Sequence, residues 1–319
     1  MKQYTSLYFV GAGGIGMSAL VRYFLAKGYK VAGYDRTQSP LTTELKTEGL
    51  EIVYEESVES IPDYCRNPET TLVVYTPAIP ASHAGLVYFR EHGFRVVKRA
   101  ELLGLITQSS KGLCFAGTHG KTTTSSMAAH IFHESPIGCN AFLGGILRNY
   151  NSNLILSEQS PFTVIEADEY DRSFHWLHPY MAVVTATDPD HLDIYGTEEA
   201  YLESFAHFTS LIQPGGCLIM KKGIKLVPSV KENVKIYTYS ARDGGDFHAG
   251  NIRIGDGTIV FDFVMPEGSV ADIELGVPVE INIENAVAAM AIAWLNGVSG
   301  NDMRRAMASF KGAKRRFEF

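Results

Sequence analysis

The chain has 319 residues, more than a typical single domain, so its length predicts two domains. A net charge of −7, with no basic run before the closing Lys314-Arg315-Arg316, argues against a nucleic-acid-binding protein. No run of about 18 apolar residues is present, which argues against a membrane protein, and the four scattered cysteines match neither metal-site nor disulfide spacing. We therefore expect a cytoplasmic protein with reduced thiols, and the sequence leaves its oligomeric state open.

The N-terminal part of the sequence predicts a doubly wound, Rossmann-like sheet. An apolar strand ends at Val10, a glycine-rich turn follows, and a helical pattern leads into a second strand that ends before Asp35. We expect this domain to cover residues 1–107, with residues 104–111 as a linker. The predicted elements are strands over residues 4–10, 30–34, 71–75 and 94–97 and a helix over residues 17–27.

The remainder, residues 108–319, predicts a second α/β domain of the P-loop ATPase type. Its apolar strands have polar residues clustered at their carboxyl ends, where open α/β sheets bind ligands. Between residues 233 and 279, alternating patterns and glycine turns predict small antiparallel hairpins. The other predicted elements are strands over residues 112–116, 162–167 and 181–187 and helices over residues 125–133 and 285–295.

The first glycine motif is Gly11-x-Gly13-x-x-Gly16, which lies between a strand and a helix, with Asp35 about 20 residues after the motif. This is the dinucleotide fingerprint, so an NAD-dependent dehydrogenase is one hypothesis. The same turn can hold the diphosphate of any nucleotide, including a UDP-sugar, or can serve only to pack the helix on the strand. A dehydrogenase leaves a second phosphate loop further along the chain without a task.

That second loop is Gly117-Thr118-His119-Gly120-Lys121-Thr122-Thr123-Thr124, between a strand and a helix. Backbone N–H groups at the helix start would face an anion, Lys121 would reach the terminal phosphates, and the Thr122 hydroxyl would hold Mg²⁺. The motif is shortened, because Phe115 stands where the full P-loop has another glycine. Alone it is also compatible with an ordinary glycine-rich turn. His119 is a candidate to face a substrate.

Two acidic clusters follow consecutive strands of the second domain. Glu166-Ala167-Asp168-Glu169 comes after the first strand, and Asp190-His191-Leu192-Asp193 comes after the second. Mg²⁺ prefers hard oxygen ligands together with phosphate oxygens, so these strand ends predict a magnesium site beside the phosphate loop. Each cluster alone could be a solvated turn, and the two together with the Lys-Thr loop favour the metal site.

These segments resemble the Mur ligase family, in the family's order and over the whole chain. The further matches are Phe9-Val10-Gly11-Ala12-Gly13-Gly14-Ile15-Gly16-Met17-Ser18, Asn282-Ile283-Glu284-Asn285-Ala286 and Lys314-Arg315-Arg316-Phe317. The resemblance implies an ATP-dependent ligase of peptidoglycan biosynthesis, which supports cell shape and division. In the branch it matches, ATP phosphorylates the carboxylate of UDP-N-acetylmuramate and L-alanine attacks the acyl phosphate to form an amide. The run Tyr170-Asp171-Arg172-Ser173-Phe174 favours that branch over the one that attaches a tripeptide to the same nucleotide sugar.

The resemblance also implies residue roles. Lys121, Glu166 and His191 would be catalytic, and Thr122, Glu166 and His191 would bind Mg²⁺. The implied ATP site consists of Gly117, Thr118, His119, Gly120, Lys121, Thr122, Thr123, Asn282, Asn285, Arg315 and Arg316. The implied UDP-sugar site consists of Gly11, Gly13, Gly14, Ile15, Gly16, Thr76, Ala78, Ile79 and Arg99.

Three departures from the family pattern matter. Ile281 stands where many members have a histidine, and no lysine lies between Lys121 and Lys221 to supply the carbamylated lysine of several Mur ligases. The chain also ends where the family continues into a third domain that docks the amino acid. We therefore expect a fragment that binds its substrates and ligates poorly. A non-catalytic nucleotide-sugar binding module is the remaining alternative.

Overall fold

The computed structural model describes residues 3–190 and 192–314 and divides into two compact units, Met1–Ile106 and Thr107–Phe319. Among the described residues, no helix is both long and apolar enough to cross a membrane. The elements of the first unit are β1 (Ser6–Val10), α1 (Ile15–Ala26), β2 (Lys30–Tyr34), α2 (Pro40–Thr47), β3 (Glu51–Val53), a 3₁₀ turn (Asp63–Cys65), β4 (Thr71–Tyr75), α3 (Ala84–Glu91), β5 (Arg95–Lys98) and α4 (Arg99–Gln108).

The first unit is built on one parallel sheet with the strand order β3-β2-β1-β4-β5. Every residue of β1 is buried, as expected for a central strand that is covered on both faces. The order reverses direction between β1 and β4, and open α/β sheets bind ligands at such a switch point. The glycine loop after β1 therefore lies at the edge where a ligand site is expected.

The predicted linker over residues 104–111 is wrong. Helix α4 runs through most of it to Gln108, and the next strand begins at Lys111. The polar run Thr107-Gln108-Ser109-Ser110 was the reason for the prediction. Leu102, Leu103 and Ile106 lie on one face of the helix and are buried, so apolar packing outweighs the polar composition of the helix end.

The elements of the second unit follow in chain order. They are β6 (Lys111–Ala116), α5 (Lys121–His133), β7 (Asn140–Leu147), β8 (Ser152–Ile155), β9 (Phe162–Glu166), a 3₁₀ segment (Tyr170–Trp176), β10 (Pro179–Val184), α6 (Leu192–Tyr195), α7 (Glu198–Ser210), β11 (Cys217–Lys221), β12 (Lys235–Ser240), β13 (Phe247–Gly255), β14 (Thr258–Met265), β15 (Gly268–Glu274), α8 (Ile281–Leu295), α9 (Gly300–Ser309) and β16 (Ala313–Lys314).

Within the described residues these strands form one sheet in the order β15-β14-β13-β12-β11-β10-β6-β9-β7-β16, with β8 paired to β7. The central strands are parallel and carry the main core, on which α5 and α8 pack. The α/β class, with parallel sheets and a small antiparallel region, is confirmed. Within residues 233–279 the antiparallel region is smaller than predicted, because β12 pairs in parallel with both β11 and β13, and the antiparallel pairs there are β13–β14 and β14–β15.

Candidate active site

The phosphate loop joins β6 to α5, and its shape depends on two glycines. Gly117 has φ of +139° and Gly120 has φ of +84°, both in the region that side-chain-bearing residues rarely adopt. A Cβ at Gly117 would also collide with the Thr185 hydroxyl and lie 2.8 Å from the backbone nitrogen of Ala186. Gly120 caps α5, whose first N–H groups have no partner within the helix. The loop therefore presents a helix N-terminus suited to an anion.

The segment after β10 holds this loop in place. The Thr185 hydroxyl donates to the backbone oxygen of His119, and the Thr118 hydroxyl donates to the backbone oxygen of Asp188 at 2.7 Å. The Thr118 hydroxyl also lies 2.9 Å from the hydroxyl of Tyr201. The His119 side chain is exposed, and its predicted contact with a substrate stays a prediction. Sequence reasoning did not identify Thr185 or Tyr201, whose partners are remote in sequence.

Lys121 lies folded into the loop. Its Nζ donates to the backbone oxygen of Gly117 at 2.6 Å and pairs with both carboxylate oxygens of Glu169, at 2.9 and 2.8 Å. The Lys121 side chain is 14% exposed and that of Glu169 only 2%, so the pair is shielded from water. The sequence placed Glu169 in an acidic cluster without assigning it a role; its only signal was its place as the third carboxylate, after Glu166 and Asp168, at the end of β9.

Glu166, the last residue of β9, connects the loop to β7. Its Oε1 accepts a hydrogen bond from the Thr122 hydroxyl and its Oε2 accepts one from the Gly144 N–H, each at 2.9 Å. Burial raises the pKa of the Glu166 carboxyl, and the bond from Thr122 and the charge of Lys121 oppose that rise. The Glu166 carboxylate and the Thr122 hydroxyl thus offer two oxygen ligands, and a bound cation would compensate the charge of the partly desolvated carboxylate.

The residues present fit a magnesium ion that also takes phosphate oxygens. Thr122 and Glu166 supply two hard oxygen donors, which is the usual protein share of a magnesium site in a nucleotide-binding protein. In the described part of the chain no three His, Cys, Asp or Glu side chains are grouped to hold a metal without such help. His191, the third predicted ligand, lies outside the described residues, as do Arg315 and Arg316.

Asn282 and Asn285 lie on α8 next to the start of α5. The Thr124 hydroxyl donates to Asn285 Oδ1 at 3.1 Å, and Asn285 Nδ2 donates to Asn282 Oδ1 at 3.1 Å. Asn285 Oδ1 is 3.0 Å from where a Cβ of Gly120 would be. Both amides are buried and support the loop, whereas Ile281 beside them is 62% exposed. The structure thus brings the two asparagines to the loop that they were predicted to share.

In the first unit, the glycine loop is held by Asp35. The N–H of Gly13 donates to Asp35 Oδ2 at 2.7 Å, and the N–H of Thr37 donates to Asp35 Oδ1 at 3.1 Å. A Cβ at Gly13 would be 2.9 Å from that carboxylate oxygen and closer still to the Thr42 methyl group. Asp35, whose role the sequence left open, therefore fixes the turn after β1.

Of the other residues predicted for the UDP-sugar site, Thr76, Ile79 and Arg99 lie against the same loop. A Cβ at Gly16 would be 2.5 to 2.9 Å from the guanidinium of Arg99, so the absence of a side chain lets Arg99 approach α1. Gly11 has φ of +92° and faces Thr76 and Ile79. Ala78 lies in the same turn after β4 and is exposed. Gly14 is exposed and open, with its nearest neighbour 4.0 Å away.

Two family models match the chain in tandem. The model described as the Mur ligase family catalytic domain matches residues 6–111, and the Mur ligase middle domain matches residues 115–293. A UDP-N-acetylmuramate–L-alanine ligase from Parabacteroides distasonis is 66% identical over 319 residues, which cover all of this chain and 69% of the relative. A ligase of the same name from Porphyromonas gingivalis is 55% identical over 313 residues, covering 98% of this chain and 69% of the relative.

The chain belongs to the Mur ligase family. Solved structures agree at the level of the fold. A UDP-N-acetylmuramate–alanine ligase from Thermotoga maritima has a TM-score of 0.80 at 24% identity. The match covers 98% of this chain and 70% of the Thermotoga chain. A UDP-N-acetylmuramate:L-alanyl-gamma-D-glutamyl-meso-diaminopimelate ligase from Neisseria meningitides has a TM-score of 0.83 at 22% identity. The match covers 98% of this chain and 100% of the Neisseria chain.

As a Mur ligase, the protein is an ATP-dependent ligase of peptidoglycan synthesis, as the resemblance in its motifs implied. Family membership leaves the dehydrogenase alternative for the Gly11–Gly16 turn with less support than the ligase. It also explains why one chain carries two glycine-rich strand–turn–helix units. Among the described residues, those that the sequence reasoning overlooked in this Mur ligase are the polar groups that hold the loops, namely Glu169, Thr185, Tyr195 and Tyr201.

Proposed function

We propose that this Mur ligase joins L-alanine to the carboxylate of UDP-N-acetylmuramate in the cytoplasm, with ATP and Mg²⁺. The names of its relatives support this substrate, because ligases of that name match it at 66% and 64% identity. The proposed UDP-sugar domain is residues 1–107 and the proposed ATP domain is residues 108–319. The observation that carries the proposal is the phosphate loop, with Lys121 inside it and the Thr122–Glu166 pair beside it.

The proposed reaction needs charge neutralisation more than a nucleophilic side chain. A carboxylate oxygen of the sugar attacks the γ-phosphorus, the bond to the β-phosphate oxygen breaks, and ADP leaves. The alanine nitrogen then attacks the acyl carbon, phosphate leaves with the C–O electron pair, and the nitrogen loses a proton. The N–H groups at the start of α5 and the Lys121 ammonium would hold the transferring phosphoryl group. When bound, Mg²⁺ would neutralise phosphate charge, held by Thr122, Glu166 and, we propose, His191.

The remaining predicted residues have positioning roles in this proposal. Asn282 and Asn285 would border the adenine, and Arg315 with Arg316 would approach the nucleotide. In the first domain the Gly13 to Gly16 turn would receive the diphosphate and Arg99 would add a positive charge beside it. The diphosphate would have to share the Gly13 N–H with Asp35 or to replace it.

Calorimetric titration with UDP-N-acetylmuramate tests the first site, with NADH as the parallel control. We expect saturable binding of the UDP-sugar and none of NADH. A second titration with MgATP, followed by addition of both UDP-N-acetylmuramate and L-alanine and assay of ADP and phosphate, tests the ligase. Binding of NADH in place of the UDP-sugar would contradict the assignment of the glycine loop. Binding of both substrates with turnover by glycine or serine but not L-alanine would contradict the amino-acid assignment.

A further inference from the structure

Glu169 is the buried carboxylate to which no role has been assigned. It is the third residue after the end of β9, and its side chain is 2% exposed. Buried carboxylates require a compensating charge, and here the ammonium of Lys121 supplies it. Neighbouring Asp168, by contrast, is exposed and accepts a hydrogen bond from the Tyr170 N–H at 3.1 Å.

The backbone around Glu169 is built to hold this residue in place. Asp171 and Arg172 both adopt left-handed φ, at 51° and 54°, which is costly for residues with side chains and is found mainly where surrounding contacts enforce it. In this bend the Arg172 N–H donates to the backbone oxygen of Glu169 at 3.0 Å. The Tyr195 hydroxyl donates to the same oxygen, and the Arg172 guanidinium lies 4.9 Å from the centre of the Tyr195 ring.

The Lys121 ammonium has three N–H donors, and three protein oxygens already surround it. They are the backbone oxygen of Gly117 and the two carboxylate oxygens of Glu169. Two of these contacts are hydrogen bonds, to Gly117 and to Glu169 Oε1, whereas the contact with Oε2 is an ion pair without a hydrogen bond. A phosphate oxygen that binds this lysine competes with Glu169 for the ammonium. Glu169 carries a negative charge, which opposes a polyphosphate entering the same low-dielectric cradle.

We propose that Glu169 is a positioning residue of the phosphate loop, which holds the Lys121 ammonium in the ligand-free cradle and is displaced from it by the polyphosphate. The inference rests on the proposed nucleotide site and deepens it. Glu169 neutralises the Lys121 ammonium and keeps the loop folded, at the expense of nucleotide affinity. A neutral residue of the same shape would leave the lysine available to the phosphates.

The experiment is calorimetric titration of the chain with MgATP, and separately with magnesium triphosphate, for wild type and three variants. In Glu169→Gln the charge is lost and the shape is kept, and we expect about 5- to 20-fold tighter binding of both ligands. In Glu169→Asp the charge is kept, so we expect no tightening. Asp168→Asn removes an equal charge one residue away, at an exposed position, and should change affinity less than about twofold.

Several results would overturn the inference. If Glu169→Gln and Glu169→Asp both weaken binding, Glu169 is needed only for the structure of the loop. If Asp168→Asn tightens binding as much as Glu169→Gln, the gain comes from the loss of any nearby negative charge and not from release of the Lys121–Glu169 ion pair. Unchanged affinity in Glu169→Gln overturns this inference alone, whereas absence of nucleotide binding by the wild-type chain overturns the proposed function with it.

Thermal unfolding without nucleotide gives a second test that does not depend on binding. Lys121→Met leaves the buried Glu169 carboxylate without a counter-charge and should lower the melting temperature. The double variant Lys121→Met/Glu169→Gln should regain most of that loss, because the orphaned charge is gone. A double variant that melts at or below the temperature of Lys121→Met would contradict the ion-pair role.

Discussion

The two glycine loops of this protein begin alike and end in different chemistry. Each follows a fully or largely buried strand and leads into a helix, β1 to α1 in the first unit and β6 to α5 in the second. In the first loop a carboxylate, Asp35, accepts the backbone N–H of Gly13. In the second loop a cation from the loop itself, Lys121, lies in the cradle and is neutralised by Glu169.

This difference teaches that glycine spacing predicts a turn and not its ligand. The glycines allow the close approach of Arg99 to Gly16 in one loop and of Thr185 to Gly117 in the other. The charge that each loop presents comes from residues outside the glycine pattern. The first loop, with one arginine beside it, suits the proposed diphosphate. The second loop, with a lysine inside it, suits the proposed triphosphate.

The largest expected effect separates the two loops by removing the cation of the second. Lys121→Ala should weaken MgATP binding by about 100-fold or more, because the cradle loses the charge that faces the phosphates while Glu169 stays buried beside them. UDP-N-acetylmuramate affinity should change less than about twofold. Calorimetry with both ligands measures this. Equal loss of both affinities would show that the loops do not act as separate sites, and unchanged ATP binding would refute the phosphate-loop assignment.

The sequence predicted the scaffold of both loops well, because glycine turns between apolar strands and helices leave strong patterns. The α/β class and both units with a strand–glycine turn–helix were predicted from these patterns and found. Boundaries were less accurate. Helix α5 begins at Lys121, four residues before the predicted start at Ser125, because the threonines after the loop already adopt helical geometry.

The partners of the loops could not be predicted in the same way. Asp168 and Glu169 are adjacent acidic residues that the sequence does not distinguish. In the structure Asp168 is exposed and Glu169 is buried, next to a left-handed bend at Asp171 and Arg172. Tyr195, which holds that bend, is 26 residues from Glu169 along the chain. Contacts of this kind depend on how strands are ordered in the sheet, which a local pattern does not contain.

A smaller effect is expected where the second loop depends on a neighbouring strand. A Cβ at Gly144 would collide with the carboxylate of Glu166, including its carboxyl carbon at 2.7 Å. Gly144→Ala should displace Glu166 and weaken Mg²⁺-dependent ATP binding by about 10-fold or more. Gly145→Ala is the matched control, since its Cβ would lie 3.2 Å from the Lys314 backbone oxygen and 3.4 Å from the methyl carbon of Thr122, away from Glu166, and we expect a change below about threefold. Similar affinities for the two variants would remove Glu166 from the nucleotide site.

The first loop offers a matched pair of its own. Gly16→Ala would press on the guanidinium of Arg99, whereas Gly14→Ala adds a methyl group in open space. We expect Gly16→Ala to weaken UDP-N-acetylmuramate binding by about 3- to 10-fold and to leave MgATP binding unchanged. If Gly14→Ala is the more damaging change, the backbone of the turn that would receive the diphosphate contributes more to binding than Arg99 does.

The smallest expected effect concerns the helices that follow the two loops. Helix α1 has no titratable side chain on its buried face, whereas α5 buries His130 between the hydroxyls of Tyr150, at 2.6 Å, and Ser309, at 2.9 Å. Burial lowers the pKa of His130 from 6.5 to about 4. Between these pH values the unfolded chain binds a proton at His130 that the folded chain excludes. The contribution of neutral His130 to the free energy of unfolding is therefore fully present above pH 6.5 and is lost as the pH falls toward 4.

At pH 5 this loss amounts to about 2 kcal/mol, or roughly 4–8 °C in melting temperature. Both tryptophans, Trp176 and Trp294, lie in the second unit, so their fluorescence follows the unit that contains α5. His130→Gln should flatten the pH dependence of that melting temperature, although the half-buried His175 and His178, whose pKa values burial also lowers, keep part of the slope. Exposed His133, three residues further along α5, is the matched control, and His133→Gln should retain most of the wild-type slope, because the charge of His133 is the smallest contribution to the lowered pKa of His130. An unchanged slope in His130→Gln would show that the acid sensitivity of the second unit lies outside the phosphate-loop helix.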